Sequence, residues 1–492
     1  MVEDKELKRG LNLPMAIFII VGMVIGASIW VNPAAYLSRT GPAMFLSYII
    51  AVIPAIFVAY ICAYLGSAFP VAGGSYVLSS RILGGFGGFM AVWLIILAVG
   101  STLAYLASIF AVFLTYIFAI PAEFELIFVI VVGIVVLTAF YFLNWVKIEL
   151  SGLVELLITI FGDILVMLIF IIAAIPAFNP SNFTNFFPEG ISPVLFASLV
   201  FFFSYVGFTL ILDVAGEVKN PRRTIPRALL ISFIILVTLY TLQALMVAGI
   251  QQWNNPVGTV LDILLGGTLL PPVMIGIIAI LIAIAIASTI HPSYMAYSRD
   301  ILMISREHLF PKLFSKVHKT QKTPVSALTL LYIVGVIFLV TFIPLLTSLD
   351  PGITIEIAAT LLSAVVGVVV LIIQIPLCLG AITFKKKFPE WHENSGFKPS
   401  RTSLRVMGIL GAAFSALFLF LLFTDPDAGA LIAIIVFPFM GIGALVYLIR
   451  RAVLRKKGID IKSIMKSLPE SVSFDEGVPS KVERLAHEKE KE

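Results

Sequence analysis

Long apolar runs separated by short polar segments dominate the chain. Within the runs, hydrophobic residues follow one another with almost no Lys or Arg between them, and a helix that crosses a bilayer needs about 20 such residues. The pattern predicts an all-α membrane protein in which spans longer than about 25 residues tilt, break or extend past the bilayer. We predict twelve spans, numbered in chain order: residues 13–38, 42–68, 86–119, 124–143, 150–176, 192–215, 228–250, 271–297, 325–346, 353–383, 404–423 and 428–449.

Basic residues fall almost entirely on one side of this predicted topology. If residues 1–12 are cytoplasmic, all but one of the 33 Lys and Arg residues lie on the cytoplasmic side, and the exception is Arg39 at the outer end of span 1. Because basic loops are retained in the cytoplasm, we predict cytoplasmic termini and a multi-pass protein of the cell membrane. The net charge of +5 then reflects topology and attraction to anionic lipid, so a nucleic-acid partner is not expected.

Composition argues against several other classes of protein. The chain is 60% hydrophobic and 12% charged, whereas a soluble domain has about 25% charged residues. Its two cysteines, Cys62 and Cys378, lie far apart in apolar runs and predict neither a disulfide framework nor a metal site. The sequence has no recognisable hydrolase, metalloprotease or nucleotide-binding motif. We therefore assign no catalytic residue, metal ligand or cofactor, and expect residues 450–492 to form a charged tail that is disordered beyond Pro469.

Three acids within or near the spans are candidates for function, since a charge inside a membrane is costly. Asp163 lies at the midpoint of span 5, and Glu155 lies two turns nearer the cytoplasm. Asp213 lies near the cytoplasmic end of span 6. Asp163 either forms hydrogen bonds across helices or binds an ion or proton, whereas we expect Glu155 and Asp213 to be interfacial.

Two spans carry helix-breaking residues at matching depths. GMVIGASIW, residues 22–30, places Gly22 and Gly26 about ten residues into span 1, and VFFFSYVGF, residues 200–208, places Ser204 to Gly207 about twelve residues into span 6. GxxxG alone favours a helix-packing surface. A second interruption, five spans later in a helix of opposite direction, favours an inverted-repeat transporter with a midplane site.

Four further stretches carry a resemblance to a known family. VGMVIGASIWV (21–31), GSAFPVAGGSYVLSSRILGGFGGFMAVW (66–93), FFFSYVGF followed by AGEVKNPRRTIPRALLIS (215–232), and YSRDILMISREHLFPKLFSKVHKTQKTPVSAL (297–328) occur in the family's order. The chain thereby resembles the amino acid–polyamine–organocation superfamily over roughly residues 8–450. The resemblance implies a five-plus-five inverted repeat with two additional C-terminal helices and with helices 1 and 6 discontinuous. The first repeat would comprise residues 13–176, the second 192–383, and the additional helices 404–449.

The resemblance also implies a binding site for an amino acid. Amides at the span 1 break would hold the substrate carboxylate, backbone carbonyls of both breaks would receive its amine, and Phe203 would act as an aromatic gate. The implied substrate-binding residues are Ile25, Gly26, Ala27, Ser28, Phe203, Ser204, Gly207 and Thr209. The implied coupling-ion candidates, for Na⁺ or H⁺, are Gly22, Asp163, Ser288 and Thr289.

Departures from the family pattern leave the coupling open. Ser28 stands where a glycine is usual, and Tyr64 replaces a common glutamate. Gly162 and Asp163 occupy a region where some proton-coupled relatives carry a lysine. We expect a secondary transporter of neutral or apolar amino acids, coupled to a cation or proton or working as an exchanger. The alternative is a polyamine or organic-cation transporter; a membrane enzyme or a channel is not expected.

Overall fold

The computed structural model describes residues 9–118, 120–145, 148–255, 272–349, 353–424 and 429–465, with the single positions 260 and 263. Helices account for nearly all of this part of the chain, and the only β-contact in it is an isolated bridge between Leu11 and Val218. Lys147 and the tail beyond residue 465 lie outside the described residues. The prediction of an all-α protein is confirmed for the part that is described.

Several spans are built from more than one helical piece. The bounds are Leu13–Val24 and Ser28–Thr40 for span 1, Met44–Ala68 for span 2, Gly74–Phe118 for span 3 and Ala122–Leu143 for span 4. Span 5 contains Ile148–Ile158, a π-helical turn Thr159–Ile164 and Leu165–Ala174; span 6 contains Ser192–Phe202 and the 3₁₀ turns Phe203–Tyr205 and Phe208–Leu212. Span 7 is Pro221–Ile250, span 8 is Pro272–Ser288 with Ile290–Arg306, span 9 is Val325–Leu349, span 10 is Ile355–Lys387, span 11 is Arg401–Phe423 and span 12 is Gly429–Lys456.

Local sequence fixes where a few of these helices begin. The Asn12 side chain accepts a hydrogen bond from the Met15 amide at 3.0 Å, and the Ser400 side chain accepts one from the Ser403 amide at 3.0 Å. Such N-caps satisfy amides that have no partner within the helix. Span 7 begins with Pro221, whose fixed φ suits a first helical turn. It therefore starts seven residues before the predicted 228, because its charged first turns continue the helix beyond the apolar run.

Eleven helical segments in the described residues are long and apolar enough to cross a membrane. The difference from twelve predicted runs arises at span 1. Its first half, Leu13–Val24, has 12 residues and is too short alone, while its second half continues into span 2 as one segment, Ser28–Ala68. Large apolar side chains such as Ile127, Ile172 and Ile434 are more than 60% exposed, as a lipid-facing surface requires. The protein is a multi-pass membrane protein.

The spans pack as two groups. Spans 1, 2, 6 and 7 contact one another, and spans 3, 4, 8 and 9 contact one another. Span 3 also packs along span 10, and span 5 lies against spans 1, 7 and 8. The two groups meet around the interrupted parts of spans 1 and 6, so the predicted breaks lie in the protein interior.

Candidate substrate and ion site

Span 1 leaves the helix at Ile25, Gly26 and Ala27. The Ile25 amide still donates to the Val21 carbonyl at 2.8 Å, but Ile25 has an extended backbone with ψ of 96°, and the helix resumes at Ser28. The interruption predicted within residues 22–30 is therefore present, and it occupies the three residues between the helices Leu13–Val24 and Ser28–Thr40. No side chain caps the resumed helix, so its first amides keep their hydrogen-bonding capacity toward an anion.

Span 6 is interrupted at the same depth. Val206 is extended with ψ of 143°, and Gly207 has φ of +118°, a conformation that favours glycine. A Cβ atom on Gly207 would lie 2.7 Å from Met23 Cγ and 3.1 Å from the Met23 carbonyl oxygen. The buried Gly207 therefore lets the span 6 break pack directly on the end of the first half of span 1.

A hydroxyl pair joins the two breaks. Ser28 Oγ donates to Ser204 Oγ at 2.9 Å, and both side chains are buried. Gly26, Phe203 and Thr209 nearby are only partly buried. The structure therefore brings Gly26, Ser28, Phe203 and Ser204 together and gives the unusual Ser28 a partner. Phe203 also packs edge-on against the span 3 ring of Tyr105, with centroids 5.9 Å apart.

Backbone carbonyls freed at the break are partly used by neighbouring spans. Thr289 Oγ1 donates to the Gly22 carbonyl at 3.1 Å and to the Ile25 carbonyl at 3.0 Å, and Tyr240 donates to the Val24 carbonyl at 2.9 Å. The Phe203 carbonyl accepts from the Val206 amide at 3.0 Å. Since a carbonyl oxygen has two lone pairs, Ile25 and Phe203 each retain capacity for a further donor.

The four coupling-ion candidates lie where spans 1, 5 and 8 meet. Span 8 is divided between Ser288 and Ile290, next to Thr289. Ser288 Oγ lies 3.4 Å from Asp163 Oδ2 and 2.6 Å from the Ala285 carbonyl. Asp163 is fully buried in the π-helical turn, and its Oδ1 has no hydrogen-bond partner among the described residues. π-turns of this kind occur frequently at functional sites.

A buried acid–histidine pair, which the sequence analysis does not predict, lies next to this site on spans 5 and 8. His291 Nδ1 is 2.7 Å from Glu155 Oε2, and both side chains are fully buried. The expected interfacial position of Glu155 is therefore wrong. Thr159 links the pair to span 1, because its hydroxyl donates to the Phe18 carbonyl at 3.2 Å. Glu155, Thr159 and Asp163 recur every four residues on one face of span 5, a spacing that could have revealed the layer.

Comparison with known proteins identifies the family. The amino acid permease profile matches residues 11–445. The chain belongs to the amino acid permease family. This confirms the resemblance to the amino acid–polyamine–organocation superfamily, and the family and its relatives are permeases and transporters rather than enzymes.

Individual relatives of the permease carry different cargoes. A branched-chain amino acid permease of Bacillus subtilis is 26% identical over 66% of this chain and 73% of its own length. An uncharacterised transporter of Mycobacterium tuberculosis is 30% identical over 65% of this chain and 71% of its own length. The human cystine/glutamate transporter is 25% identical over 68% of this chain and 69% of its own length. These likenesses support amino acid transport in general and leave the substrate class open.

At one end of the permease, which we call the N-terminal face, polar contacts join the N-terminal segment, the end of span 6 and span 8. Here the Gly10 and Leu11 amides donate to the Glu217 carbonyl at 2.9 and 3.0 Å, and Arg299 Nε donates to Glu217 Oε1 at 2.8 Å. Asp213 lies in the same layer and is fully buried. Its expected interfacial exposure is also wrong, because spans 3, 6 and 8 enclose it.

Tyr64, the residue that replaces a common glutamate, also makes a polar contact between separate segments of the chain. Its hydroxyl lies 2.9 Å from His392 Nδ1, in the short helix Pro389–Asn394. Burial, together with nearby Lys385, lowers the pKa of His392. A neutral imidazole accepts a hydrogen bond at one ring nitrogen, so the Tyr64 hydroxyl can donate to it. Tyr64 therefore ties span 2 to the segment after span 10.

Proposed function

We propose that this permease is a secondary transporter that moves amino acids across the cell membrane by alternating access. In this proposal, twelve spans form two inverted repeats, 13–176 and 192–383, followed by 404–449. Spans five apart in sequence, namely 1 and 6, 2 and 7, 3 and 8, and 4 and 9, pack against each other, which supports the repeat. The asymmetry of Lys and Arg supports cytoplasmic termini and makes the N-terminal face cytoplasmic.

The hydroxyl pair between the two breaks is the observation that carries the proposed site. It places the uncapped start of the second half of span 1 beside the carbonyls of span 6. Helix amides attract a carboxylate, and free carbonyls attract an ammonium group. The amides of Gly26, Ala27 and Ser28 would thus bind the carboxylate, and the carbonyls of Ile25, Phe203 and Ser204 the amine.

Uncharged surroundings favour a neutral or apolar side chain on the substrate. Thr209 and Phe203 are the partly buried side chains next to the breaks, and Tyr105 covers Phe203. A polyamine or organic cation is the alternative, and it would need acids facing the pocket; Asp163, behind Ser288, is the acid near it. Competition of amino acid uptake by putrescine separates the two classes.

Coupling to Na⁺ or H⁺ would act through the meeting point of spans 1, 5 and 8. Oxygen ligands suit Na⁺ as they suit other hard cations, and Gly22, Ser288, Thr289 and Asp163 offer carbonyl, hydroxyl and carboxylate oxygens there. In the described residues, no three His, Cys, Asp or Glu side chains gather as a metal site. Cation binding would therefore draw mainly on backbone and hydroxyl oxygens.

Uptake into proteoliposomes tests the function and the site together. Purified protein is expected to accumulate or exchange labelled neutral amino acids, and Gly26→Val should abolish uptake while leaving folded protein. Gly441→Val is the matched control, since a Cβ there meets nothing within 4 Å. Normal uptake by folded Gly26→Val would refute the site. A single-channel conductance in a planar bilayer would refute a carrier mechanism.

A further inference from the structure

The motif VAGGSY, residues 71–76, brings the start of span 3 unusually close to spans 6 and 8. Gly73 has φ of +62°, and a Cβ on it would lie 2.8 Å from the Arg299 carbonyl oxygen. A Cβ on Gly74 would overlap the Leu212 carbonyl oxygen. The two glycines thus let the first turn of span 3 press on the residues that directly precede Asp213 and Asp300.

This close approach supplies both aspartates with backbone donors. The Ser75 amide donates to Asp213 Oδ1 at 2.6 Å, and the Tyr76 amide donates to Asp300 Oδ1 at 3.0 Å. Both carboxyl groups are fully buried. The two amides belong to the N-terminal turn of a helix, where a negative charge is favoured.

The remaining oxygens of the two aspartates lack a donor. Because Ser75 and Tyr76 are consecutive, their amides hold the two carboxyl groups next to each other. Asp213 Oδ2 and Asp300 Oδ2 have no hydrogen-bond partner among the described residues. Two ionised carboxylates cannot hydrogen-bond each other, since each offers only acceptors. A proton on one of them turns the contact into a charge-assisted hydrogen bond.

Other ionisable groups around the two aspartates do not replace the proton as a donor to their carboxyl groups. Arg299 is engaged by Glu217, with Nε to Oε1 at 2.8 Å, and Arg81 is engaged by Glu307, with Nη2 to Oε1 at 2.5 Å. Tyr297 of span 8 is near enough to both aspartates, and Cys62 of span 2 to Asp213, to interact with them electrostatically. With each arginine matched by its own glutamate, one added proton leaves a single negative charge on the pair, opposite the two amides.

We propose that Asp213 and Asp300 form a proton-binding site that holds the cytoplasmic side of the permease closed. The contact joins span 6, in one group of spans, to spans 3 and 8 in the other. One proton binds to the two carboxylates and is shared between them; its loss places two like charges side by side and favours separation of the two groups. That the two groups of spans separate rests on the alternating access proposed above. That the two carboxyl groups share a proton does not depend on that proposal.

Spin labels on the two groups of spans measure the opening. Arg223→Cys and Lys316→Cys, both exposed at this face, are labelled in a protein carrying Cys62→Ala and Cys378→Ala. We expect the closed population to fall as pH rises from about 5.5 to 8.5, by up to about tenfold per pH unit for one linked proton. Asp300→Asn supplies a permanent N–H donor to Asp213, so its closed population should change less than about twofold over the same range.

Infrared spectroscopy tests the shared proton without any transport. The carbonyl stretch of one protonated carboxylic acid should be present at neutral pH and missing in Asp300→Asn and in Asp213→Asn. Glu393→Gln is the control, since Glu393 is exposed and pairs with Lys398 at 3.7 Å. An unchanged acid band, or a pH response retained in both Asn variants, overturns the proposal. Absence of amino acid uptake alongside these signals would refute only the transport function.

Discussion

Replacing each of the two glycines of GMVIGASIW by alanine is predicted to lower the stability of the fold at Gly22 and to leave it unchanged at Gly26. A Cβ on Gly22 would overlap Glu155 Oε1 and Thr159 Oγ1 and would lie 3.4 Å from Glu155 Cδ. A Cβ on Gly26 would make ordinary contacts, at 3.6 Å to Thr289 Oγ1 and 3.8 Å to Leu106 Cδ2. Gly22→Ala should therefore damage the fold, whereas Gly26→Ala should spare it and narrow only the space at the break.

The expected loss for Gly22→Ala follows from what must move. Forcing a methyl group into a packed interior costs about 1–3 kcal/mol, and removing Glu155 from His291 would approach the roughly 3–5 kcal/mol of a broken buried pair. Replacing a helical glycine returns about 1 kcal/mol. Because the methyl group would overlap two oxygens at once, the upper figure of about 3 kcal/mol applies, and a net loss of about 2 kcal/mol is expected when Glu155 shifts but keeps its partner.

Thermal unfolding of the purified protein in detergent measures this difference. At roughly 2–4 °C per kcal/mol, Gly22→Ala should melt at least about 4 °C below the native protein, and Gly26→Ala within about 1 °C of it. Gly22→Ala combined with Thr159→Ala should recover part of the loss, because Thr159→Ala removes one of the two clashing oxygens. Equal melting temperatures for Gly22→Ala and Gly26→Ala would contradict the packing argument.

Three further substitutions follow from the same contacts. Ser28→Ala leaves the buried Ser204 hydroxyl without its partner and should cost about 1 kcal/mol in denaturant-induced unfolding; a Ser28→Ala, Ser204→Ala pair should cost less than the two changes summed. Asp163→Asn should alter the pH or Na⁺ dependence of uptake, and unchanged dependences would leave Asp163 a hydrogen-bonding residue only. The pKa of His392 is lowered in the folded protein, so the unfolded chain binds more protons at this residue. The free energy of unfolding should therefore fall as pH drops through about 6.5. The melting temperature of His392→Asn should depend less on pH over this range.

The breaks in spans 1 and 6 could be predicted because they leave a local record. Small residues interrupt apolar runs at matching depths, and the chain direction of each span follows from the charges in the loops. Ser28 is unusual only against the family pattern, in which a glycine stands at this position. Its role required the structure, because Ser204 lies 176 residues away in the chain and no periodicity relates the two.

Pairing between distant spans explains what the sequence left unresolved. Glu155 and Asp213 were expected to be interfacial because each lies toward the end of an apolar run, where water is the usual partner of a carboxylate. In the fold, His291 and the Ser75 amide occupy that role instead. The π-helical turn at Asp163 leaves no signal in the sequence either, since TIFGDI fits an ordinary helix.

Span 8 supplies one partner of several buried polar contacts described above. Ser288 meets Asp163, Thr289 meets span 1, His291 meets Glu155, and Asp300 meets the Tyr76 amide of span 3. In a membrane, an apolar helix surface contacts lipid about as favourably as it contacts another helix. A polar contact between helices can open beside a water-filled cavity, because water then replaces its hydrogen bonds. A boundary between two moving groups of spans is therefore best built from polar contacts, each of which can open when its own side is hydrated. In the proposed alternating access, span 8 would therefore be the surface across which spans 1 and 6 move.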